Sequence, residues 1–290
     1  MKHFSNPFKK ETCPQCGKNY DYLRQNCPNC HEENKDDDPK RRTFDNNLPL
    51  GSVREIILFA IGLFGLYILA QIIGTIALLS KNFELAAGGL SGDELINAVN
   101  EYANSIELSI IMNDVTYIVI FIIMLLVIWK DNLRLLKSII NVKSLLGIVV
   151  ALGMLVLSSI WSMIATKLGA ETNINQSLVE KTILANPFLA VLVTGIIAPF
   201  VEELTYRVGA FTFLKRINRV LAYVVVGALF GLIHIKDFIS LNEWLSYPSY
   251  LIAGIALSFA YDMFGFGASF TAHALNNLLA VVSVLIAGGE

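Results

Sequence analysis

From residue 56 onward the chain is dominated by apolar runs long enough to cross a bilayer, and no other feature restricts its fold so severely. A hydrocarbon core about 30 Å thick needs about 20 apolar residues in a helix. Candidate runs fall at about 56–79, 106–129, 145–166, 187–213, 219–239, 249–263 and 268–287. Backbone polar groups in lipid must bond within their own segment, so such runs become helices. The reading is an all-α polytopic membrane protein with seven spans, or eight if the weakly amphipathic stretch 83–104 dips into the interface. Composition agrees: 54% of residues are hydrophobic and 16% charged, against about 25% charged in soluble domains. A net charge of −2 gives no bulk basic surface, so no nucleic-acid partner is expected.

Charge is unevenly spread. Residues 1–54 hold ten of the 22 Lys and Arg. Met1 to Lys10 lacks the apolar core of a signal peptide, so the N-terminus is expected to stay where it is made. The loop 130–144 carries Lys130, Arg134, Lys137 and Lys143, and the turn 214–219 carries Lys215, Arg216 and Arg219. The alternate loops hold fewer basic residues. Basic loops face the cytoplasm, which predicts a multi-pass protein with a cytoplasmic N-terminus and the lipid bilayer as its surroundings. Four parts follow: a cysteine module at 1–33, a polar linker at 34–52, N-terminal membrane helices at 53–184 and a C-terminal membrane core at 185–290. The linker's Lys40, Arg41 and Arg42 precede the first span, where basic residues favour an anionic leaflet.

Cys13-Pro-Gln-Cys16 and Cys27-Pro-Asn-Cys30 supply four thiolates, the number and spacing of a tetrahedral zinc site. So polar a segment needs metal binding to fold, and a reducing cytoplasm keeps the thiols available. Cys27-Pro-Asn-Cys30-His31 also fits a c-type haem attachment pattern, but that reading ignores the first pair and requires export. Thioredoxin-like chemistry would need a βαβ context that is absent. Four thiolates close the coordination sphere, so the expected zinc is structural, and the ribbon's expected role is to recruit a protein partner or substrate.

Ionisable residues inside membrane helices cost about 2.5–3.5 kcal/mol each on insertion scales and are functional candidates by default. The fourth run contains Glu202-Glu203-Leu-Thr-Tyr-Arg207. Glu203 and Arg207 are one turn apart in the favourable acid-then-base order, which predicts that Arg207 neutralises Glu203. Adjacent Glu202 points about 100° away and lacks a local partner, the position of a general base. Pro199 upstream frees the carbonyl of Gly195 in α-helical register. His234 closes Phe230-Gly-Leu-Ile-His234, beside the small pair Gly227 and Gly231 that lets another helix approach closely. His273 and Asn277 lie one turn apart on the last run. The other histidines, His3 and His31, lie in the polar head. A carboxylate, two imidazoles and an amide can activate water and stabilise an oxyanion. Asp114 in the second run reads as a supporting or crevice residue, and the many Phe and Tyr as packing, lipid-facing or interfacial.

These three motifs, Glu202-Glu203-x-x-x-Arg207, Phe230-x-x-x-His234 and His273-x-x-x-Asn277, resemble those of the CPBP family of CAAX proteases and bacteriocin-processing enzymes, intramembrane endopeptidases that include the type II CAAX prenyl endopeptidase. The resemblance covers about residues 185–290 and implies hydrolysis of a peptide bond in a membrane-associated peptide or protein substrate. It implies that Glu202 activates water with His234, that His273 and Asn277 stabilise the oxyanion, and that Glu203 and Arg207 hold the site in shape. Both metal-dependent and metal-free mechanisms have been described for the family. Glu202, His234 and His273 could supply three ligands and an open position, but no His-Glu-x-x-His motif is present, and the residues favour metal-free water activation. Two rivals stand beside this reading: a proton-coupled transporter, for which no internal repeat is found, and a non-catalytic scaffold or immunity protein of the same fold. One conflict is built in. With these spans His234 falls near the outer end of its helix and His273 near the inner end of its own, roughly 10–15 Å apart in depth.

Overall fold

The computed structural model describes residues 6–33 and 47–288. His3, the tripeptide Lys40-Arg41-Arg42 and most of the expected linker lie outside the described residues. A two-stranded antiparallel hairpin, β1 (Lys10–Thr12) and β2 (Asn19–Asp21), forms the head. Ten helices follow. They are α1 (Ser52–Ala87), α2 (Gly92–Ala103), α3 (Ile106–Val127), α4 (Asn132–Ile139), α5 (Val142–Lys167), α6 (Ile174–Ala185), α7 (Pro187–Ile217), α8 (Arg219–Leu232), α9 (Leu241–Phe264) and α10 (Phe266–Ala287). Five of them (α1, α3, α5, α7 and α10) are long and apolar enough to cross a membrane. The chain is an all-α membrane protein.

Helix α7 is the hub. Over its most apolar stretch 61% of residues are buried, against 11–22% for the other four spans, whose outward faces expose apolar side chains. This explains why the polar motif residues fall on α7: it is the span surrounded by protein rather than lipid, so a charge there can be met by other helices. The N-terminal part of α1 packs on its second half and α10 on its first, while α8, α9 and α5 pack in succession around it. Gly227 and Gly231 act as their spacing predicts. A Cβ at Gly227 would sit 2.7 Å from Ile255 Cγ1 and one at Gly231 2.6 Å from Tyr247 Cε2, so only glycine lets α8 approach α9 this closely.

Three differences from the sequence reading bear on the site. Helix α8 ends at Leu232, not near 239, and α9 begins at Leu241, two turns before the expected 249, passing through Pro248. His234 and His273 line one cavity, and both rings contact Phe230, at 4.9 and 5.7 Å between centroids. The depth conflict disappears. The stretch 83–104 divides at Gly88, and its second half forms α2. Finally, Asn47–Gly51, read as linker, is tucked against the core: Asn47 Nδ2 donates to the Tyr261 carbonyl at 2.8 Å, and Leu48 N to Tyr261 Oη at 3.0 Å. The apolar Leu48 and Leu50 are both buried, which anchors a segment otherwise too polar to order.

Candidate active site

Helix α7 departs from α-helical register on both sides of the glutamates, with π-helical turns at Ala190–Ile197 and Glu203–Phe211 flanking a short α segment, Ala198–Glu202. The first π turn changes which carbonyl Pro199 orphans. Ala198 N donates to Val193 O, one residue further back than in an α-helix, so Thr194 O faces Pro199, which has no N–H to give. The freed carbonyl is that of Thr194, not Gly195. Asn277 satisfies it, its Nδ2 donating at 3.0 Å, and keeps a second amide proton for another acceptor.

Both glutamates address the same imidazole. Glu203 is fully buried behind the ring: its Oε1 accepts from His273 Nδ1 at 2.9 Å and pairs with Arg207 Nη1 at 3.1 Å, while Ser269 Oγ donates to its Oε2. Glu202 Oε2 lies 3.7 Å from His273 Nε2, on the opposite edge. With Nδ1–H committed to Glu203, the nitrogen of His273 that faces Glu202 is Nε2. Arg207, also fully buried, is held over the Phe230 ring at 4.7 Å and donates to the Gly254 carbonyl at 3.3 Å. The expected pairing of Glu203 with Arg207 is therefore present. Glu202, expected to lack a local partner, has one from a distant helix: Tyr117 Oη on α3 donates to its Oε1 at 2.9 Å.

His234 lies just past the end of α8. Its Nδ1 is 2.6 Å from the Phe230 carbonyl, four residues back, which assigns the proton to Nδ1 and leaves Nε2 as the acceptor. The ring stacks on Tyr250 at 4.3 Å and 14°. Glu243, almost fully buried, secures this loop through both oxygens, accepting from Lys236 N at 3.0 Å and from Ile174 N at the start of α6 at 2.7 Å.

A cavity of about 340 Å³ gathers these groups. Glu202, His234, His273 and Asn277 line it, together with Tyr117, Lys236 and polar residues of α6 (Asn175, Gln176). Glu203 and Arg207 do not reach it and act on it only through His273. Asp114 is buried behind the lining, with Asn113 donating to its Oδ1 at 2.9 Å and its Oδ2 without a partner among the described residues. The residues missed in the sequence are Tyr117, Tyr250, Glu243 and Ser269. Glu243 alone carried a signal, as a lone acid at the head of an apolar helix.

The four cysteines form the second cluster. All four Sγ atoms lie within 4.8 Å of one another, with Cys13–Cys30 at 3.4 Å and Cys16–Cys27 at 3.7 Å. A tetrahedron with metal–sulfur bonds of about 2.3 Å has edges of about 3.8 Å, so the set fits one ion. Both Cys-Pro-x-Cys turns close identically, Gly17 N on Cys13 O and His31 N on Cys27 O, each at 2.9 Å, with Gly17 (φ 71°) and His31 (φ 62°) in the left-handed region. His31 is thus a turn residue. The thiols compete for protons: a hydrogen bond from the Lys18 backbone draws Cys16 down to about 6, whereas at Cys30 burial and the neighbouring thiols outweigh the Glu32 backbone bond and push it up to about 12. A cation would release all four. Among the described residues this is the one group of three or more His, Cys, Asp or Glu donors close enough to hold an ion.

A carboxylate, two imidazoles and an amide thus line one cavity of a helical membrane protein. The comparison with known families makes this specific: residues 184–279, from the end of α6 into α10, match the family model described as type II CAAX prenyl endopeptidase Rce1-like. This match, over about a third of the chain, supports a membrane endopeptidase at family level. No curated protein and no solved structure matches the chain.

Proposed function

We propose that the chain is an intramembrane endopeptidase in which Glu202 activates water within the cavity. The observation that carries this is the facing pair Glu202 Oε2 and His273 Nε2, 3.7 Å apart inside a cavity that also exposes His234. Glu202 takes the proton of the water, assisted by the acceptor Nε2 of His234. When both ring nitrogens of His273 carry a proton, with Nδ1–H held by Glu203, its Nε2–H joins the second amide proton of Asn277 in stabilising the oxyanion of the tetrahedral intermediate. Glu203 and Arg207 fix the ring of His273 from behind. The substrate is a peptide or protein tail that enters from the bilayer, and the family match supports a prenylated C-terminal one. The test is cleavage of a lipid-anchored peptide by the reconstituted protein, read by mass spectrometry. A scaffold or immunity protein, or a proton-coupled transporter, would leave the peptide intact.

Tyr117 gives the first check on this assignment. Its hydroxyl orients Glu202, and a hydrogen bond to a charged group contributes about 1.5–3 kcal/mol. Tyr117→Phe should lower kcat roughly ten- to hundredfold and leave KM nearly unchanged, since positioning rather than binding is lost.

The division proposed for the chain is a zinc ribbon at 1–33, a linker at 34–52, N-terminal membrane helices at 53–184 and a protease core at 185–290. A cytoplasmic N-terminus is supported by the clustering of basic segments at one end: the head meets the 214–219 turn through Arg216–Asp21 at 2.7 Å, and α1 meets the 130–144 segment through Arg54–Asp131 at 2.8 Å. Zinc is the ion proposed for the four thiolates, with a structural role, and protein partners of the ribbon follow from its position outside the bilayer. Cys13→Ser should remove one zinc per chain by elemental analysis and leave none. A second zinc that persists would reassign Glu202, His234 and His273 as metal ligands.

A further inference from the structure

A cavity of about 730 Å³, separate from the candidate active site, lies where the cysteine head meets the start of α1. Five cations line it, Lys9, Lys10, Arg24, Arg54 and Arg134, against two carboxylates, Asp21 and Asp131. Both acids are engaged: Asp131 accepts from Arg54 at 2.8 Å, and Asp21 from Arg216 at 2.7 Å. Lys9 lies 4.9 Å from the centre of the Tyr22 ring, and Arg24 donates to the Pro49 carbonyl at 3.3 Å. Lys10 and Arg134 are exposed and have no hydrogen bond or ion pair within the described residues. Among the described residues the cleft is therefore an electropositive concavity with uncommitted charge and no free acid lining it.

Its position says what it meets. One wall is the first turn of a membrane span, where Val53 is 64% exposed, and another is the segment joining α3 to α5. Within that segment α4 is a short amphipathic helix whose Leu133 and Leu136 are exposed, flanked by exposed Trp129 and Ile140. Such a helix lies in the plane of the interface, with an aromatic at headgroup level. The cleft thus opens at the depth of lipid phosphates, with apolar Phe8 and Val53 beside the cations. Basic pockets at this level bind anionic headgroups.

We propose that this cleft is a binding site for an anionic phospholipid, whose phosphate is held by Lys10 and Arg134 and whose presence joins the head to the membrane core. It is a site separate from the cavity of Glu202 and does not depend on the proposed hydrolysis.

The test titrates detergent-solubilised full-length protein with phosphatidylglycerol or phosphatidylcholine and reads bound lipid by native mass spectrometry. The wild type should prefer phosphatidylglycerol about tenfold or more, and the double variant Lys10→Ala, Arg134→Ala should lose that preference. Lys137→Ala with Lys143→Ala, which removes two cations from the same surface but outside the cleft, should keep it. The conservative pair Lys10→Arg, Arg134→Lys should also keep it, which separates lost charge from lost folding. A cleft variant that still prefers phosphatidylglycerol overturns the proposal. So does an equal loss in the Lys137 and Lys143 variant, which would reduce the effect to general surface potential. Binding of inorganic phosphate as tight as that of phosphatidylglycerol would make the site one for a soluble anion and overturn the lipid assignment.

Discussion

Glu202→Gln should abolish peptide cleavage, lowering kcat by about three to four orders of magnitude, while the protein folds and inserts normally. General-base catalysis contributes about 10²–10⁴-fold, and the amide also loses the charge that pulls a proton from water. The substitution is nearly isosteric, and Tyr117 Oη can still donate to the amide oxygen. Glu202 lies at the cavity wall rather than behind it, so removing its charge leaves no buried cation stranded. Thermal unfolding in detergent should therefore shift little. Single-turnover kinetics on a lipid-anchored peptide measure the loss of rate, and light scattering with circular dichroism checks the fold. Turnover at the wild-type rate in Glu202→Gln would remove this residue as the base and, with it, the proposed mechanism.

The site was legible in outline because its residue types are expensive in a membrane. Glu202, Glu203, Arg207, His234, His273 and Asn277 stand out against apolar runs, and α7 proves to be the helix buried on most sides. What the letters withheld is set by neighbours. Tyr117 reads like any aromatic in an apolar span, and its role comes only from the approach of α3 to α7. The π turns of α7 depend on how α1 and α10 pack, so an α-helical count pointed to Gly195 where Thr194 is the orphan. The length of α8 was overestimated because Ile233 and Ile235 continue its apolar pattern past Leu232, although the loop is fixed by Glu243 from α9 and α6. Docking of the head is the clearest omission. Arg216, read only as a topological charge, is fully buried between Asp21 of β2 and Glu55 of α1, while Tyr22 Oη donates to its carbonyl at 2.9 Å. The cysteine head is built onto the core rather than tethered beside it.

Glu203→Gln should behave unlike its neighbour, with a large loss of stability as well as of activity. Glu203 and Arg207 are both fully buried, and among the described residues the guanidinium has the Gly254 carbonyl and the face of Phe230 besides its carboxylate. Removing one member of such a pair leaves an uncompensated charge and costs about 3–5 kcal/mol. The variant should unfold at markedly lower temperature in detergent, and its residual folded fraction should cleave slowly because His273 loses the acceptor that fixes Nδ1–H. Adding Arg207→Met separates the two effects. With both charges gone the core is neutral, and replacing a buried pair by apolar groups is often close to neutral for stability, so the double variant should regain most of the unfolding temperature. It should not regain activity, since an amide at 203 still cannot hold His273 against developing charge at Nε2. Recovery of stability and activity together would mean that the pair is only a clamp. Recovery of stability alone assigns Glu203 to the orientation of the imidazole, one step removed from the water that Glu202 is proposed to activate.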